Sequence, residues 1–350
     1  MKTIILTGGG TAGHVIPNIA LFEGLNKYFE RIVYIGSGND LEKQLVCKYD
    51  FVQYLSIPTV KLIRGFSFKN LTIPFRLILA IKEAKKLLKQ INPDIIFNKG
   101  GYVGLPVVLA GAKLNIPIIG HESDLSLGLA HKLVKNKYRY ICTTFAETAE
   151  KLKNGIYTGT PIQQKAIKTN FLSLKEKLHL NALPVILVLG GSQGAQQINN
   201  LIDKNLDKLT KQYQIIHVRG KNKLNPNLKK HNYLQFEFYE NMGELYATCD
   251  ACITRAGSNT LHELLYNNIP MVLIPLQNGS RGDQVANAHY FDKHGWSTSL
   301  YNKSITNDEF LTAINQMINK SKNNKKHMPT NCANEKIIDL IVKVSDKKTR

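Results

Sequence analysis

One pattern recurs four times along the chain: "TIILTGGG" at 3–10, "DIIFNKGG" at 94–101, "VILVLGGSQG" at 185–194 and "ACITRAGS" at 251–258. In each, an unbroken apolar run meets a turn of small residues and then a helical pattern. A strand that is apolar at every position must be buried on both faces, which is the condition of a parallel sheet covered by helices. In such sheets ligands gather at the carboxyl ends of the strands, where these turns lie. The first and third units look alike, so the fold expected is two Rossmann-like parallel-sheet domains, 1–162 and 163–330. The seam falls near "YTGTPIQQ" (157–164), where Gly159 and Pro161 interrupt both periodicities. A polar stretch at 320–334 precedes "NEKIIDLIVKVSD", whose apolar positions 337, 338, 341, 342 and 344 partly suit one helical face. The segment 331–350 is therefore expected to return to the first domain.

With 350 residues and 43% hydrophobic content the chain can bury a sizeable core, which excludes disordered and fibrous classes. The start enters a strand-like run at Lys2 without the apolar segment and cleavage site of a signal peptide, so a cytosolic location is expected. No stretch approaches the roughly 18–20 uninterrupted apolar residues of a spanning helix, which limits any membrane role to the surface. Cys249 and Cys252 form a CxxC within "CDACIT", read as a buried strand, and no second Cys/His pair stands at zinc spacing. Net charge is the unusual bulk property: +20 calls for nucleic acid, an anionic membrane surface or phosphate-bearing substrates as partners. It is densest between Lys61 and Gln90, where Lys61, Arg64, Lys69, Arg76, Lys82, Lys85, Lys86 and Lys89 face only Glu83.

Gly8, Gly10 and Gly13 satisfy G-x-G-x-x-G after a strand. A dinucleotide site also wants an acidic side chain closing the second strand, yet "RIVYIGSGND" ends in Ile35, Gly36 and Ser37, and Asp40 arrives only after the turn. The nicotinamide reading is set aside. What remains is a glycine turn at a helix N-terminus, suited to an anion such as diphosphate, with His14 beside it able to exchange a proton with a substrate hydroxyl or merely to cap and pack. "GGSQGA" (190–195), with Ser192, is a second phosphate-type turn or a plain strand-to-helix turn. In "RAGSNTLHELL" (255–265), Thr260 and Glu263 match a capping box, or the carboxylate accepts hydrogen bonds from a ribose diol. "HESDLSLGLAHKL" (121–133) sets His121, Glu122, Ser123 and Asp124 at another strand end, and "PLQNGSRGDQVANA" (275–288) offers Asp283, Gln284 and Asn287 to sugar hydroxyls or an amide.

Together "TGGGTAGHVIPN", "HESD…GLAHK", "GGSQGA" and "RAGSNTLHELL…PLQNGSRGDQVANA" resemble the MurG family, in order, over about residues 1–300. The resemblance implies a GT-B fold, two Rossmann-like domains facing a cleft. It implies inverting transfer of N-acetylglucosamine from UDP-GlcNAc to the C4 hydroxyl of the MurNAc of lipid I, an undecaprenyl-diphosphate acceptor, giving lipid II. Such a transfer needs a base on the acceptor side, and His14 is assigned to it because its loop would face the cleft from that side, with Asp124 or Glu122 in reserve. The resemblance, carried over residue by residue, gives the donor to Thr11, Ala12, Gly13, Asp124, Gly191, Ser192, Tyr239, Ser258, Thr260, Glu263 and Gln284, with Glu263 on the ribose and Gln284 on the sugar. The acceptor diphosphate falls to Gly9, Gly10, Thr11 and Gly13. Departures occur at Ala12, where glycine is usual, at Asp124 and His131, where asparagine is usual, and at Gln163, where arginine is common.

The leaving diphosphate would be stabilised by the helix start after Gly191–Gly194 and by Ser192, so neither metal nor cofactor is required. Closure of the cleft would use a hinge near 159–164. In "LIRGFSFKNLTIPFRLIL" (62–79), Phe66, Phe68 and Phe75 alternate with cations including Lys69 and Arg76. Such wedges suit the headgroup boundary of an anionic inner leaflet, placing the protein peripherally on the cytoplasmic face. An ordinary amphipathic core helix is the alternative, and Pro74 argues against one unbroken helix. Two rivals stand beside this reading: another GT-B UDP-sugar transferase or epimerase with a soluble acceptor, and a basic nucleic-acid-binding protein. The latter would have no use for three anion turns.

Overall fold

The structure is a computed structural model describing residues 2–59, 72–168, 172–191, 194–277, 282–323 and 333–346. The chain divides into two compact units, residues 1–163 with 331–350, and residues 164–330.

The first unit is built on seven parallel strands: β1 (Thr3–Thr7), β2 (Arg31–Gly36), β3 (Val52–Ser56), β4 (Ile95–Asn98), β5 (Ile118–Glu122), β6 (Tyr140–Thr143) and β7 (Gly155–Tyr157). They lie in the order β3-β2-β1-β4-β5-β6-β7. Ile5 pairs with Val33 on one side and Ile96 on the other. All of β1 is buried, and its alternate side chains feed two cores. Ile4 and Leu6 pack with Phe22, Tyr34 and Phe97 on one face, while Ile5 packs with Val33, Val107 and Val108 on the other. The helices covering it are α1 (Ala12–Ile19), α2 (Phe22–Leu25), α3 (Asp40–Val46), α4 (Ile73–Ile91), α5 (Gly101–Lys113), α6 (Leu129–Val134) and α7 (Ala146–Glu150).

The second unit repeats the plan with six strands: β8 (Val185–Leu189), β9 (Gln214–Val218), β10 (Tyr233–Phe236), β11 (Ala251–Thr254), β12 (Met271–Leu273) and β13 (Ser297–Ser299). Their order is β10-β9-β8-β11-β12-β13, again all parallel. Its helices are α8 (Leu172–Lys177), α9 (Gln196–Leu209), α10 (Met242–Thr248), α11 (Ser258–Tyr266), α12 (Asp283–Lys293) and α13 (Asn307–Asn323). Cys249 closes α10 rather than lying in the strand expected from "CDACIT"; Cys252 is in β11. Both thiols are buried, which pushes Cys249 up to about 12 and leaves both inert in the core.

The final helix, α14 (Ala333–Asp346), belongs to the first unit, where Ile337, Ile338, Ile341 and Val344 enter the core beside Phe22 and Leu25. Asn334 pins its start, accepting from Ile162 N (3.0 Å) and donating to the carbonyls of Ile162 (2.9 Å) and Ala20 (3.1 Å). Burying four aliphatic side chains is worth about 1.5–3 kcal/mol each before chain entropy is subtracted.

In both sheets the first strand lies beside the fourth: β1 against β4, and β8 against β11. Chain direction across the sheet reverses at these points, so the turns leaving the paired strands diverge and open a crevice. The glycine turns after β1 and β4 flank the first such point, and those after β8 and β11 flank the second.

Candidate active site

In the first unit three strand-end loops meet. The turn after β1 carries Gly8 (φ 135°) and Gly10 (φ 92°), and that after β4 carries Gly100 (φ 92°) and Gly101 (φ 78°). These loops pack backbone to backbone: a Cβ on Gly101 would stand 2.6 Å from the Gly9 carbonyl oxygen, and one on Gly8 would stand 2.9 Å from Lys99 Cβ. Glycine is thus required by close approach as well as by positive φ.

His14 lies in the first turn of α1, whose N-cap is Thr11. Its Nδ1 is 3.0 Å from Thr11 Oγ1, and its backbone N–H donates to the Thr11 carbonyl (3.1 Å). Thr11 therefore orients the ring through Nδ1. The ring edge neighbours Gly101: Cδ2 lies 3.6 Å from where its Cβ would be.

Beneath this loop sits Glu42, third residue of α3 and fully buried. It accepts from Gly10 N (2.7 Å), Ser37 N (2.6 Å) and Ser37 Oγ (2.8 Å). Tyr54 OH stands 3.3 Å away. Cβ atoms on Gly9 or Gly36 would collide with this carboxylate. The consequence corrects one expectation: the Gly10 N–H, offered above to a diphosphate, already serves Glu42. Sequence reading missed Glu42 because "NDLE" looks like a helix start whose acid caps itself. Asn39 does cap Leu41 N (2.8 Å), leaving Glu42 to the glycine loop.

The third loop follows β5. Glu122 accepts from Ser123 N (2.9 Å), Asp124 N (3.2 Å), Gly128 N (2.7 Å) and His131 Nδ1 (2.9 Å). Burial would push its carboxyl up, but His131, the Gly128 amide and Lys99 outweigh it and hold the group near 2. Four donors on its two oxygens make Glu122 the group that orders this loop. Asp124 lies in the half-buried part of the same loop. His131, at the position where asparagine is usual, is buried with its ring edge-on to Tyr138 and against Gly100.

Lys99 joins the β4 and β5 loops, donating from Nζ to Ser123 Oγ. Burial lowers its ammonium to about 8, with Glu122 and Asp124 working in the opposite direction. A lysine 2% exposed under two glycine turns was not singled out from "NKGG"; the only sequence signal was a charge at the end of an apolar strand.

In the second unit the turn after β8 runs through Gly190, Gly191 (φ 75°) and Gly194 (φ 69°) into α9. Ser192 lies outside the described residues, as do Phe66, Phe68 and Lys69. A Cβ on Gly194 would strike the Arg219 carbonyl oxygen. Arg219 is fixed by a bidentate pair with Asp203 (2.6 and 2.8 Å), and its NH1 donates to Tyr233 OH (2.8 Å). Asn199 Nδ2 donates to the same Arg219 carbonyl (3.2 Å), so an ion pair and α9 together brace the turn.

The turn after β11 is tied down from several sides. Arg255 donates to Gln197 Oε1 and to the Ile274 carbonyl, both at 2.9 Å, tying the β11 end to α9 and β12. Buried Asn287 donates to the Ala256 carbonyl (3.2 Å), tying α12 to the same loop. Ser258 opens α11 behind the N-cap Gly257, and Thr260 sits inside the first turn. Of the two readings open to Thr260 and Glu263, the capping box does not form: the helix starts before Thr260, and the Glu263 carboxylate turns to Tyr246 OH (2.8 Å). Burial raises Glu263 to about 7, the Tyr246 hydrogen bond pulling the other way. Gln284, second residue of α12, accepts from Leu276 N (2.9 Å). Tyr239, in the loop before α10, donates to Glu244 Oε2 (2.7 Å).

Two parallel sheets, each with a glycine turn leading into a helix at its switch point, are the arrangement of a GT-B fold, the class of nucleotide-sugar enzymes to which the relatives below belong. Residues 4–143 match the glycosyltransferase family 28 N-terminal domain and residues 185–344 the glycosyltransferase family 28 C-terminal domain. The chain is 40% identical over 353 residues to the UDP-N-acetylglucosamine–N-acetylmuramyl-(pentapeptide) pyrophosphoryl-undecaprenol N-acetylglucosamine transferase of Lachnoclostridium phytofermentans, covering 98% of this chain and 99% of that one. The Lachnospira eligens protein of the same name is 42% identical over 323 residues, 91% of each chain. Among solved structures, Acinetobacter baumannii MurG superposes with a TM-score of 0.74 at 22% identity over 98% of this chain and 100% of that one. A calicheamicin glycosyltransferase gives 0.73 at 12% identity, each chain covered fully. The chain belongs to the MurG family of glycosyltransferase family 28.

Proposed function

We propose that the protein transfers N-acetylglucosamine from UDP-GlcNAc to the C4 hydroxyl of the MurNAc unit of lipid I, with inversion at the sugar C1. The arrangement carrying this reading is His14, oriented by Thr11 beside two abutting glycine turns. Its Nε2 accepts the proton of the C4 hydroxyl as oxygen attacks C1, and the C1–O bond to UDP breaks on the opposite face. The acceptor diphosphate lies against the Gly9–Gly13 turn, with the Lys99 ammonium below adding positive potential. The donor diphosphate faces the turn into α9, with Glu263 on the ribose and Thr260, Gln284 and the Tyr239 backbone around the rest. Charge on the departing UDP is met by backbone N–H groups and the α9 dipole, so the step needs no metal.

A lipid-borne acceptor calls for work at the cytoplasmic face of the membrane. No described helix is long and apolar enough to cross a bilayer. Helix α4 buries Ala80, Ala84, Leu88 and Ile91 and turns Phe75 (73% exposed), Ile78 and Leu79 outward. Exposed Lys82, Lys86 and Lys89 continue the outer side of that helix. Helix α5 packs between α4 and α6, and α6 exposes Leu129 and Leu133 next to Lys132. Apolar side chains among cations favour an anionic headgroup layer over a soluble acceptor, which sets this reading above a transferase or epimerase acting in solution.

Two measurements test it. Labelled GlcNAc should pass from UDP-GlcNAc to a short-chain lipid I analogue; binding of UDP-GlcNAc with no transfer would leave the fold and overturn the acceptor. The chain should sediment with vesicles containing anionic lipid, and Phe75→Asp should weaken that binding about tenfold or more, since burying such a side chain is worth about 1.5–3 kcal/mol. Equal sedimentation of both proteins would remove the α4 surface from the proposal.

A further inference from the structure

Tyr246 is unused by the reaction as described, yet its phenol reaches the carboxylate on which the donor ribose depends. We propose that Tyr246 is a positioning residue for the nucleoside diphosphate donor: its hydroxyl holds Glu263 Oε2 so that Oε1 is presented to the ribose diol. The proposal rests on the reading of Glu263 as the ribose ligand.

A glutamate side chain has three rotatable bonds, so burial beside a site does not by itself aim its oxygens. Here the backbone of Glu263 is held by Asn267 and the tip of its side chain by Tyr246. Asn267 Nδ2 donates to the Glu263 carbonyl (2.7 Å) and to the Ala166 carbonyl (2.8 Å), while its Oδ1 accepts from Lys168 N (2.6 Å). Helix α10 leans on the same segment, and closely: a Cβ on its Gly243 would stand 3.0 Å from the Lys165 carbonyl oxygen. Tyr246 is 1% exposed, and burial keeps its phenol well above its ordinary range, so it remains a donor. The rigid ring and short stem leave the 2.8 Å bond to Oε2 little freedom.

A phenol that donates to the carboxylate also favours its ionised form, against burial, which favours the acid. The groups beside the pair are neutral. Cys249 and Cys252 lie near the phenol as buried thiols, and His262, lowered to about 4 by burial, has its Nδ1 2.8 Å from the Ser258 carbonyl oxygen. Lys168 and Asp250, opposite in sign, both act on Cys249. Among the described residues no lysine or arginine forms an ion pair with Glu263. Removing the phenol therefore shifts the carboxyl upward, and the donor meets more of the protonated acid at neutral pH.

The test is UDP binding to the full chain by calorimetry between about pH 6.5 and about 9, for wild type, Tyr246→Phe and Glu263→Gln. Wild-type affinity should rise with pH through about 7. Tyr246→Phe should weaken UDP about tenfold at neutral pH and move the midpoint upward, raising donor KM while kcat at saturating donor stays near wild type. A Tyr246→Phe chain with wild-type affinity and midpoint overturns the proposal, as does a flat wild-type profile. If Glu263→Gln binds UDP like wild type, the ribose reading fails and takes the proposal with it; if that variant loses binding and Tyr246→Phe does not, only the role of Tyr246 falls.

Discussion

His14→Ala should lower kcat about 10²–10⁴-fold, the range expected for loss of a positioned general base, while donor KM and UDP binding stay near wild type. Selectivity of this kind follows from where the ring is anchored. Thr11 holds Nδ1 within α1's own first turn, and the backbone hydrogen bond from His14 N survives the substitution. The loop beneath is fixed independently by Glu42. Alanine is also a good helix former, so α1 should persist. Steady-state kinetics on a lipid I analogue, with a parallel UDP titration, check the result. Loss of UDP affinity with kcat retained would make His14 a diphosphate ligand instead of the base.

Glu122→Gln should cost the first unit about 3 kcal/mol at neutral pH. The amide keeps the size of the side chain but sets an NH₂ among groups that donate: the Ser123, Asp124 and Gly128 amides. The pH dependence provides the sharper check. Because the folded-state carboxyl is held near 2, below its ordinary 4.5, its stabilisation is present above about pH 4.5 and fades as pH falls toward 2. Denaturant unfolding of wild type and variant at several pH values should show a gap that is widest near neutrality and narrows below about pH 4.5. A gap independent of pH would mean that the cost lies in packing, with the carboxylate's charge irrelevant. Weaker transfer activity should accompany the loss, because the Glu122 loop also carries the Ser123 that holds Lys99.

Much of the architecture could be read from residue types in order. Runs such as "TIILT" and "VILVL" are apolar at nearly every position, and only a strand sandwiched between two covered faces satisfies that. Glycines at the ends of those runs marked the turns, and His14, Ser258, Thr260 and Glu263 stood next to them in the chain. Local spacing left two readings open at "NTLHE". Helix α11 begins before Thr260, and the Glu263 side chain answers to Tyr246 on another helix, which no local pattern can reveal.

What the sequence alone determined was the alternation of buried strands, anion-type turns and helices, and with it two parallel sheets and the chemistry available at their ends. Tertiary structure alone decided which loops touch. Glu42 reaches Gly10 across 32 residues, Lys99 reaches Ser123 across 24, and the Asp203 pair places the Arg219 carbonyl against Gly194. The reason is physical: hydrophobic burial is nondirectional and leaves a periodic trace in the chain, whereas a hydrogen bond forms within a few tenths of an ångström between partners that only the finished packing brings together.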